Sequence, residues 1–247
     1  MRDLKSGVIL TIFLSLNLVT NVILVGLTYF YILAMIFVSD KVQKIFKWSA
    51  KTSRKTLHLS IGILPLILPF FDHRVFPLIV ALTFIPITFL ASPYSPFTGL
   101  KSKLSMLQDK TEIGHPLGLV FYSVSYTILT ALFFQIPYIV AAGVIPMAYG
   151  DSTGALVGER YGKKKYKIFT WKSIEGSFAI FCFTFMGMML VLGYYSIFFP
   201  FSFNEMAISS VLVALIATII EALSPKGADN IFVPLACAAC MYVIQMG

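Results

Sequence analysis

Residues 6–39 read SGVILTIFLSLNLVTNVILVGLTYFYILAMIFVS, thirty-four positions without one charged side chain. A hydrocarbon layer about 30 Å thick is crossed by roughly 20 apolar residues in helical form. As one helix this stretch would run about 51 Å, too long for one crossing and too short for two comfortable ones. A single helix with an interfacial extension is therefore expected. Asn17, Thr20 and Asn21 fall in its first half. No cleaved leader is expected, because the stretch far exceeds the roughly 7–15 residues of a signal core and no small-x-small site follows.

Outward from this segment the pattern repeats. Apolar stretches run over Leu57–Phe71, Val75–Ala91, Pro116–Phe134, Pro137–Gly158, Ser173–Phe199, Met206–Leu223 and Ile231–Met246. Across all 247 residues, 58% are hydrophobic and 12% charged, against about 45–50% and about 25% in soluble chains. These numbers exclude a disordered chain, a disulfide scaffold and a basic nucleic-acid-binding domain. They predict an all-α, polytopic, integral membrane helical bundle of about eight transmembrane helices, seven to nine. Cys237 and Cys240 have CxxC spacing but no second pair or neighbouring histidine, so they are read as plain apolar-segment residues, not a zinc site.

The charges are packed into loops that alternate. Asp40–Lys55 holds Lys41, Lys44, Lys47, Lys51, Arg54 and Lys55; the loop after Ala91 holds Lys101, Lys103 and Lys110. Arg160, Lys163, Lys164, Lys165, Lys167 and Lys172 follow the fifth stretch, and Lys226 the seventh. Of the lysines and arginines, the intervening turns, near Asp72–Arg74, Gln135–Ile136 and Pro200–Glu205, carry only Arg74. Such asymmetry places the four basic loops in the cytoplasm.

Membrane topology accounts for those lysines but not for the polar residues beside them. Arg54 and His58 are four apart and share a helix face, with Lys55 one step around. A snorkelling basic collar explains the first two; a histidine inside the apolar run is harder to explain so. Asp151 lies about 10 Å of helix inside the boundary at Gly158, where an ionised carboxylate costs about 2.5–3.5 kcal/mol on insertion scales and is usually functional. Glycines at 150, 154, 158 and 162 would form one bare helical stripe. Either that stripe packs closely on another helix, or it lets a phosphate chain approach, countered by Lys163, Lys164 and Lys165. Gly158–Lys164 is a near miss for a P-loop, one residue short and with Lys where Ser/Thr should sit.

Farther along, Ser173 is a credible N-cap and Glu175 suits the first turn of the helix after it. Glu221 ends a helix, where an acid opposes the dipole, so capping cannot explain it. Asp229 and Asn230 can cap the last helix, and they are also oxygen ligands suited to Mg²⁺. His58, His115, Asp151, Glu175, Glu221, Asp229 and Asn230 all fall at helix ends on the basic side. Carboxylates and lysines gathered at one leaflet suit a nucleoside triphosphate with Mg²⁺, the second substrate coming from the bilayer.

Four blocks carry a family resemblance: Arg54-Lys-Thr-Leu-His58-Leu-Ser-Ile-Gly62, Gly150-Asp-Ser-Thr-Gly-Ala155 with Gly158 and Gly162, Lys172-Ser-Ile-Glu-Gly-Ser177, and Glu221 with Gly227-Ala-Asp-Asn230. Together they resemble the polyprenol kinase family, which includes dolichol kinase, phytol kinase and CTP-dependent diacylglycerol kinase and is related to CDP-diacylglycerol synthases. The resemblance spans about Lys51 to the C-terminus. It implies a multi-pass membrane enzyme using CTP to phosphorylate a lipid alcohol, with its active site on the cytoplasmic face. Residues 1–50 would then supply an N-terminal helix and basic loop to a single transmembrane domain, and residues 51–247 the catalytic bundle. Carried over by motif, Asp151 is the residue most needed for chemistry, as Mg²⁺ ligand or base, with His58 and Glu175 as further catalytic candidates. The nucleotide and phosphate candidates are Arg54, Lys55, Gly150, Ser152, Gly154, Gly158, Lys163, Lys164, Lys172, Ser173 and Gly176. Asp151, Glu221, Asp229 and Asn230 are the metal candidates. The chain is short for a dolichol kinase, which leans towards phytol or geranylgeraniol as acceptor. Other readings of the same residues are a diacylglycerol kinase, a cytidylyltransferase making a CDP-lipid and, more distantly, a secondary transporter.

Overall fold

A computed structural model describes residues 2–97, 99, 104–108, 116–225 and 227–246. Lys101, Lys103, Lys110, His115 and Lys226 lie outside the described residues. The described chain is mostly helical: α1 (Arg2–Phe46), α2 (Ala50–Ile61), α3 (Val75–Ala91), α4 (Gly118–Phe133), α5 (Pro137–Ile145), α6 (Asp151–Tyr161), α7 (Ile174–Tyr195), α8 (Phe203–Leu223) and α9 (Asp229–Met246). A small antiparallel hairpin, β1 (Lys165–Lys167) with β2 (Trp171–Ser173), joins α6 to α7. The all-helical expectation did not include that hairpin.

The long first stretch is one continuous helix, as its length required. Its place against the bundle is pinned at both ends. Near one end Asn21 Nδ2 donates to Asp72 at 3.0 Å and its Oδ1 accepts from the Asp72 amide at 3.1 Å. Near the other, Ser39 Oγ lies 3.2 Å from Ser53 Oγ. Eighteen residues separate these ties, about 27 Å of helix, close to the thickness of a hydrocarbon layer.

Three helices are long and apolar enough to cross a membrane alone: Asn17–Phe46, Ile174–Tyr195 and Phe203–Leu223. Val75–Ala91, Gly118–Phe133 and Asp229–Gln245 are shorter apolar helices. Two expected spans are broken by proline. Leu57–Phe71 becomes α2 followed by a 3₁₀ segment at Leu64–Phe70 that contains Pro65 and Pro69. Pro137–Gly158 becomes α5, a π-turn at Pro146–Gly150, and α6. Proline removes an intrahelical donor, so carbonyls are released that the membrane cannot solvate. Tyr195 Oη donates to Pro65 O at 2.8 Å and Tyr194 Oη to Leu66 O at 2.7 Å, meeting that need from α7.

Helix α5 runs through the middle; every residue from Pro137 to Ile145 except Tyr138 is buried. Around it close Leu129, Met188, Leu192, Val213 and Met241, with Ala141, Ala142, Ala217 and Ala238 letting backbones approach. A second cluster of Ile32, Ile36, Leu57, Leu64 and Val80 joins α1 and α3 to α2. Phe30, Leu132, Phe178, Leu190 and Val243 are exposed on the outside, the inverse of a water-soluble surface.

Candidate active site

The broken fifth stretch delivers the central residue. Pro146 has no N–H, and the ladder widens to a π-turn in which the Asp151 amide bonds Pro146 O. Asp151 therefore follows the π-turn directly, within a helical backbone that continues from α5 into α6. Its carboxylate pairs with the Lys55 ammonium, and both residues are buried, 6% and 5% exposed. Lys51, Arg54, Lys55 and His58 recur at three- and four-residue steps along α2, so one helix face carries four cationic or titratable groups.

The glycine stripe is mainly a packing device. A Cβ at Gly150 or Gly154 would collide with Thr184 or Ile180 of α7, and one at Gly158 would lie 2.9 Å from Ser173 Oγ. From the other side, a Cβ on Gly176 would meet Gly154 O at 3.0 Å. The close crossing of α6 and α7 sets the Asp151 end of one helix beside the Ser173 N-cap of the other, where Ser173 Oγ accepts from the Gly176 amide at 3.1 Å. Gly154, Gly158 and Gly176 still reach the wall of a cavity that this crossing leaves open.

That cavity measures about 360 Å³. Five cationic side chains border it, Lys51, Arg54, Lys55, Lys165 and Lys172, with four carboxylates, Asp151, Glu159, Glu221 and Asp229. Lys172 pairs with Glu221, which explains how an acid is tolerated at the C-terminal end of α8. Burial, the largest single influence on Lys172, lowers its pKa, but the carboxylates of Glu221, Asp151 and Asp229 together raise it above the ordinary lysine value. At the rim Lys51 pairs with Glu159 at 3.1 Å. Gly227 takes a left-handed φ of 84°, open to glycine, and so turns the chain from α8 into α9 with Asp229 at the cavity wall.

The remaining sequence candidates stand elsewhere. Glu175 accepts from the Lys164 amide at 3.2 Å, fastening the entry to the hairpin outside the cavity lining. Lys163 and Lys164 are exposed and do not line it. Asn230 faces α4: its Nδ2 donates to Gly118 O at 3.3 Å and its carbonyl accepts from Ser125 Oγ at 2.6 Å. Gly150 and Ser152 are buried behind the wall. His58 is fully buried, its ring 4.6 Å from that of Tyr122. Of the three lysines read as phosphate counter-charge only Lys165 lines the cavity; Lys51, Glu159, Thr170 and Trp171 line it without having been singled out as site residues. The helical spacing of Lys51 with Arg54, and the mixed basic and aromatic run 163–172, were the available signals.

Among the described residues no three His, Cys, Asp or Glu side chains converge as a ready-made metal cage. Mg²⁺ in triphosphate sites needs less, commonly one or two carboxylates with substrate phosphates and water. The donors fit that pattern: Asp151, Glu221 and Asp229 share one wall, and Glu221 Oε2 is buried without a hydrogen-bond partner.

Comparison with known proteins agrees with the motif resemblance. A phytol kinase from Synechocystis is 28% identical over 220 residues, covering 87% of this chain and 89% of that protein. A probable chloroplastic phytol kinase 2 from Oryza sativa is 26% identical over 230 residues, 82% of this chain and 69% of its own. A probable chloroplastic phytol kinase from Triticum aestivum is 32% identical over 123 residues, 48% and 41% of the two chains. These relatives support the resemblance to the polyprenol and phytol kinases. No family model matches the chain, and no solved structure does.

Proposed function

We propose that this protein is an integral, multi-pass membrane kinase that transfers the γ-phosphoryl group of CTP to the hydroxyl of an isoprenoid alcohol of the phytol or geranylgeraniol type. The observation that carries the reading is the cavity where Asp151, Glu221 and Asp229 meet Lys55, Lys172 and Arg54 at the lysine-rich end of an apolar bundle. Similarity to phytol kinases over most of the chain supports the acceptor class. The lysine-rich end is taken as cytoplasmic, where soluble nucleotide is found.

In this reading the alcohol oxygen attacks the γ-phosphorus while the bond to the β–γ bridging oxygen breaks, giving a lipid monophosphate, a nucleoside diphosphate and a proton. Such transfer depends on positioning and charge neutralisation more than on covalent chemistry. Lys172, Lys55 and Arg54 hold the triphosphate, aided by the N-terminus of α7, whose Ser173 and Gly176 line the cavity. Asp151 receives or orients the alcohol proton once nucleotide phosphates draw Lys55 away from it. One or two of Asp151, Glu221 and Asp229, with phosphate oxygens, would hold Mg²⁺, which would neutralise charge on the phosphates.

Purified protein in lipid nanodiscs, incubated with CTP labelled at the γ-position and a panel of phytol, geranylgeraniol, dolichol and diacylglycerol, tests the proposal. Label should enter the isoprenoid alcohols, and ATP should substitute poorly. Label transferred from the α-position instead would reassign the protein as a cytidylyltransferase; no labelled lipid from any substrate would overturn the kinase reading.

A further inference from the structure

A second opening lies on the far side of α2 from the polar cavity. It is a narrow slot of about 70 Å³ between α1, α2, α3 and α4, walled by Ile32, Leu57, Ile61, Val80, Ala81 and Phe84. Its threonine and serine hydroxyls are turned onto carbonyls of their own helices: Thr28 onto Leu24 O at 2.7 Å, Thr88 onto Phe84 O at 2.7 Å and Ser123 onto Leu119 O at 3.0 Å. They therefore present carbon, not polar hydrogen, to the slot. Tyr122 is the exception. Its hydroxyl is buried and has no hydrogen-bond partner, a costly state that a ligand hydroxyl would relieve.

The same tyrosine closes the gap to the polar cavity. Its ring stands 4.6 Å from that of His58, whose two nitrogens are also buried without hydrogen-bond partners. One turn back on α2, Arg54 and Lys55 border the cavity, while Leu57 and Ile61 border the slot. His58 is thus the residue of α2 between an apolar channel and the charged wall, within electrostatic reach of Lys55 and Asp151. Two buried, unsatisfied polar side chains in contact, at the inner end of a carbon-lined slot, call for a ligand with a long apolar body and a single polar end.

We propose that the slot between α1, α2, α3 and α4 is the acceptor subsite, taking a single isoprenoid chain whose terminal hydroxyl is held by Tyr122 and His58 at the edge of the charged cavity. This rests on the kinase reading above and adds where the lipid enters, which way it points and which residue holds its hydroxyl. At about 70 Å³ the slot takes the head of one chain, which favours single-chain alcohols over diacylglycerol, the rest of the chain passing out between α1 and α3 into the bilayer.

Two variants and a binding probe test it. Tyr122→Phe keeps the ring and removes only the hydroxyl; KM for geranylgeraniol should rise about 2- to 10-fold, the worth of one neutral hydrogen bond, with KM for CTP unaltered. Ala81→Phe fills the slot and should shift preference towards the shorter alcohol geraniol. Independently of turnover, a geranylgeraniol analogue carrying a tail diazirine should photolabel peptides of α1 and α3 in nanodiscs, and Ala81→Phe should abolish that labelling. If the unaltered protein phosphorylates alcohols while both variants keep its KM and chain-length preference, the subsite is wrong and the kinase reading stands. If no alcohol is phosphorylated but the slot is photolabelled and Ala81→Phe prevents it, the binding site stands and the kinase reading falls. Labelling confined to the outer faces of α7 and α8 would overturn the subsite outright.

Discussion

Replacing Asp151 by asparagine keeps the side chain's size and removes its charge. In the structure that carboxylate faces Lys55, and the two residues are 6% and 5% exposed. The variant leaves a buried ammonium without its partner, a change that destabilises by about 3–5 kcal/mol. Asp229, whose carboxylate also feels Lys55, relieves only part of this. For a chain of this size each kcal/mol moves the melting temperature by about 2–4 °C, so a fall of roughly 6–20 °C is expected. Thermal exposure of the fully buried Cys237 thiol to a maleimide dye in nanodiscs reads this directly. Adding Lys55→Met removes the orphaned charge, and the double variant should melt near the unaltered protein. Phosphoryl transfer should nevertheless remain down by at least about 100-fold in both variants, since the acid–base or metal-holding group is gone. The split between recovered stability and unrecovered activity separates a chemical role from a structural one. If Asp151→Asn melts within about 2 °C of the unaltered protein, the buried pair is not what the geometry indicates; if the double variant regains activity, Asp151 is no part of the chemistry.

Three further outcomes follow from the same geometry. Lys172→Met should weaken nucleotide binding about 10-fold or more, as loss of a charge-assisted phosphate contact does, measured by calorimetry with a non-hydrolysable triphosphate. Because its carboxylate neighbours hold Lys172 above the ordinary lysine value, its charge in the pair is retained until pH rises through that higher folded value; the stability difference between Lys172→Met and the unaltered protein should therefore not shrink between pH 7 and 9. Gly154→Ala drives a methyl into Ile180 and to 2.9 Å from Gly176 O, and should destabilise by about 1–3 kcal/mol while Gly26→Ala, with open space around it, should not. Trp171 lines the cavity and the only other tryptophan is Trp48, so in a Trp48→Phe background CTP should change the emission; unchanged emission at saturating nucleotide would place the ligand elsewhere.

Much of the helix layout could be read directly. Residues 75–91, 203–223 and 231–246 carry their own length and apolarity, and α3 and the end of α8 coincide with the limits that the charged residues set. What the prolines inside two of these stretches would do was not read from the sequence: the 3₁₀ segment at Leu64–Phe70 and the π-turn at Pro146–Gly150 emerge only in the folded chain. The hairpin at 165–173 was hidden because its strands are three residues each and held by one another, too short for any periodicity to show.

The candidate site divided in a similar way. Asp151 and Glu221 stood out because ionisable groups inside apolar stretches lack a folding reason, which needs only the chain's order and the low polarity of its surroundings; Arg54, Lys55, Lys172 and Asp229 joined them through the motif resemblance. Which of them face one another did not follow from order. Asn230 and Glu175 sit in the same motifs as cavity residues yet turn to Gly118 and Lys164, because one step around a helix is about 100° and decides whether a side chain meets the cavity or a neighbour. Tyr122 was invisible as a site residue, being one tyrosine among twelve; only its burial without a partner, against His58 of another helix, distinguishes it. Composition and charge order alone pointed to a helical chain of membrane type with its candidate site at the lysine-rich end, since water and hydrocarbon sort residues without regard to partners. Pairings, the cavity and the slot were decided by tertiary packing, since these depend on distances between helices far apart in the chain.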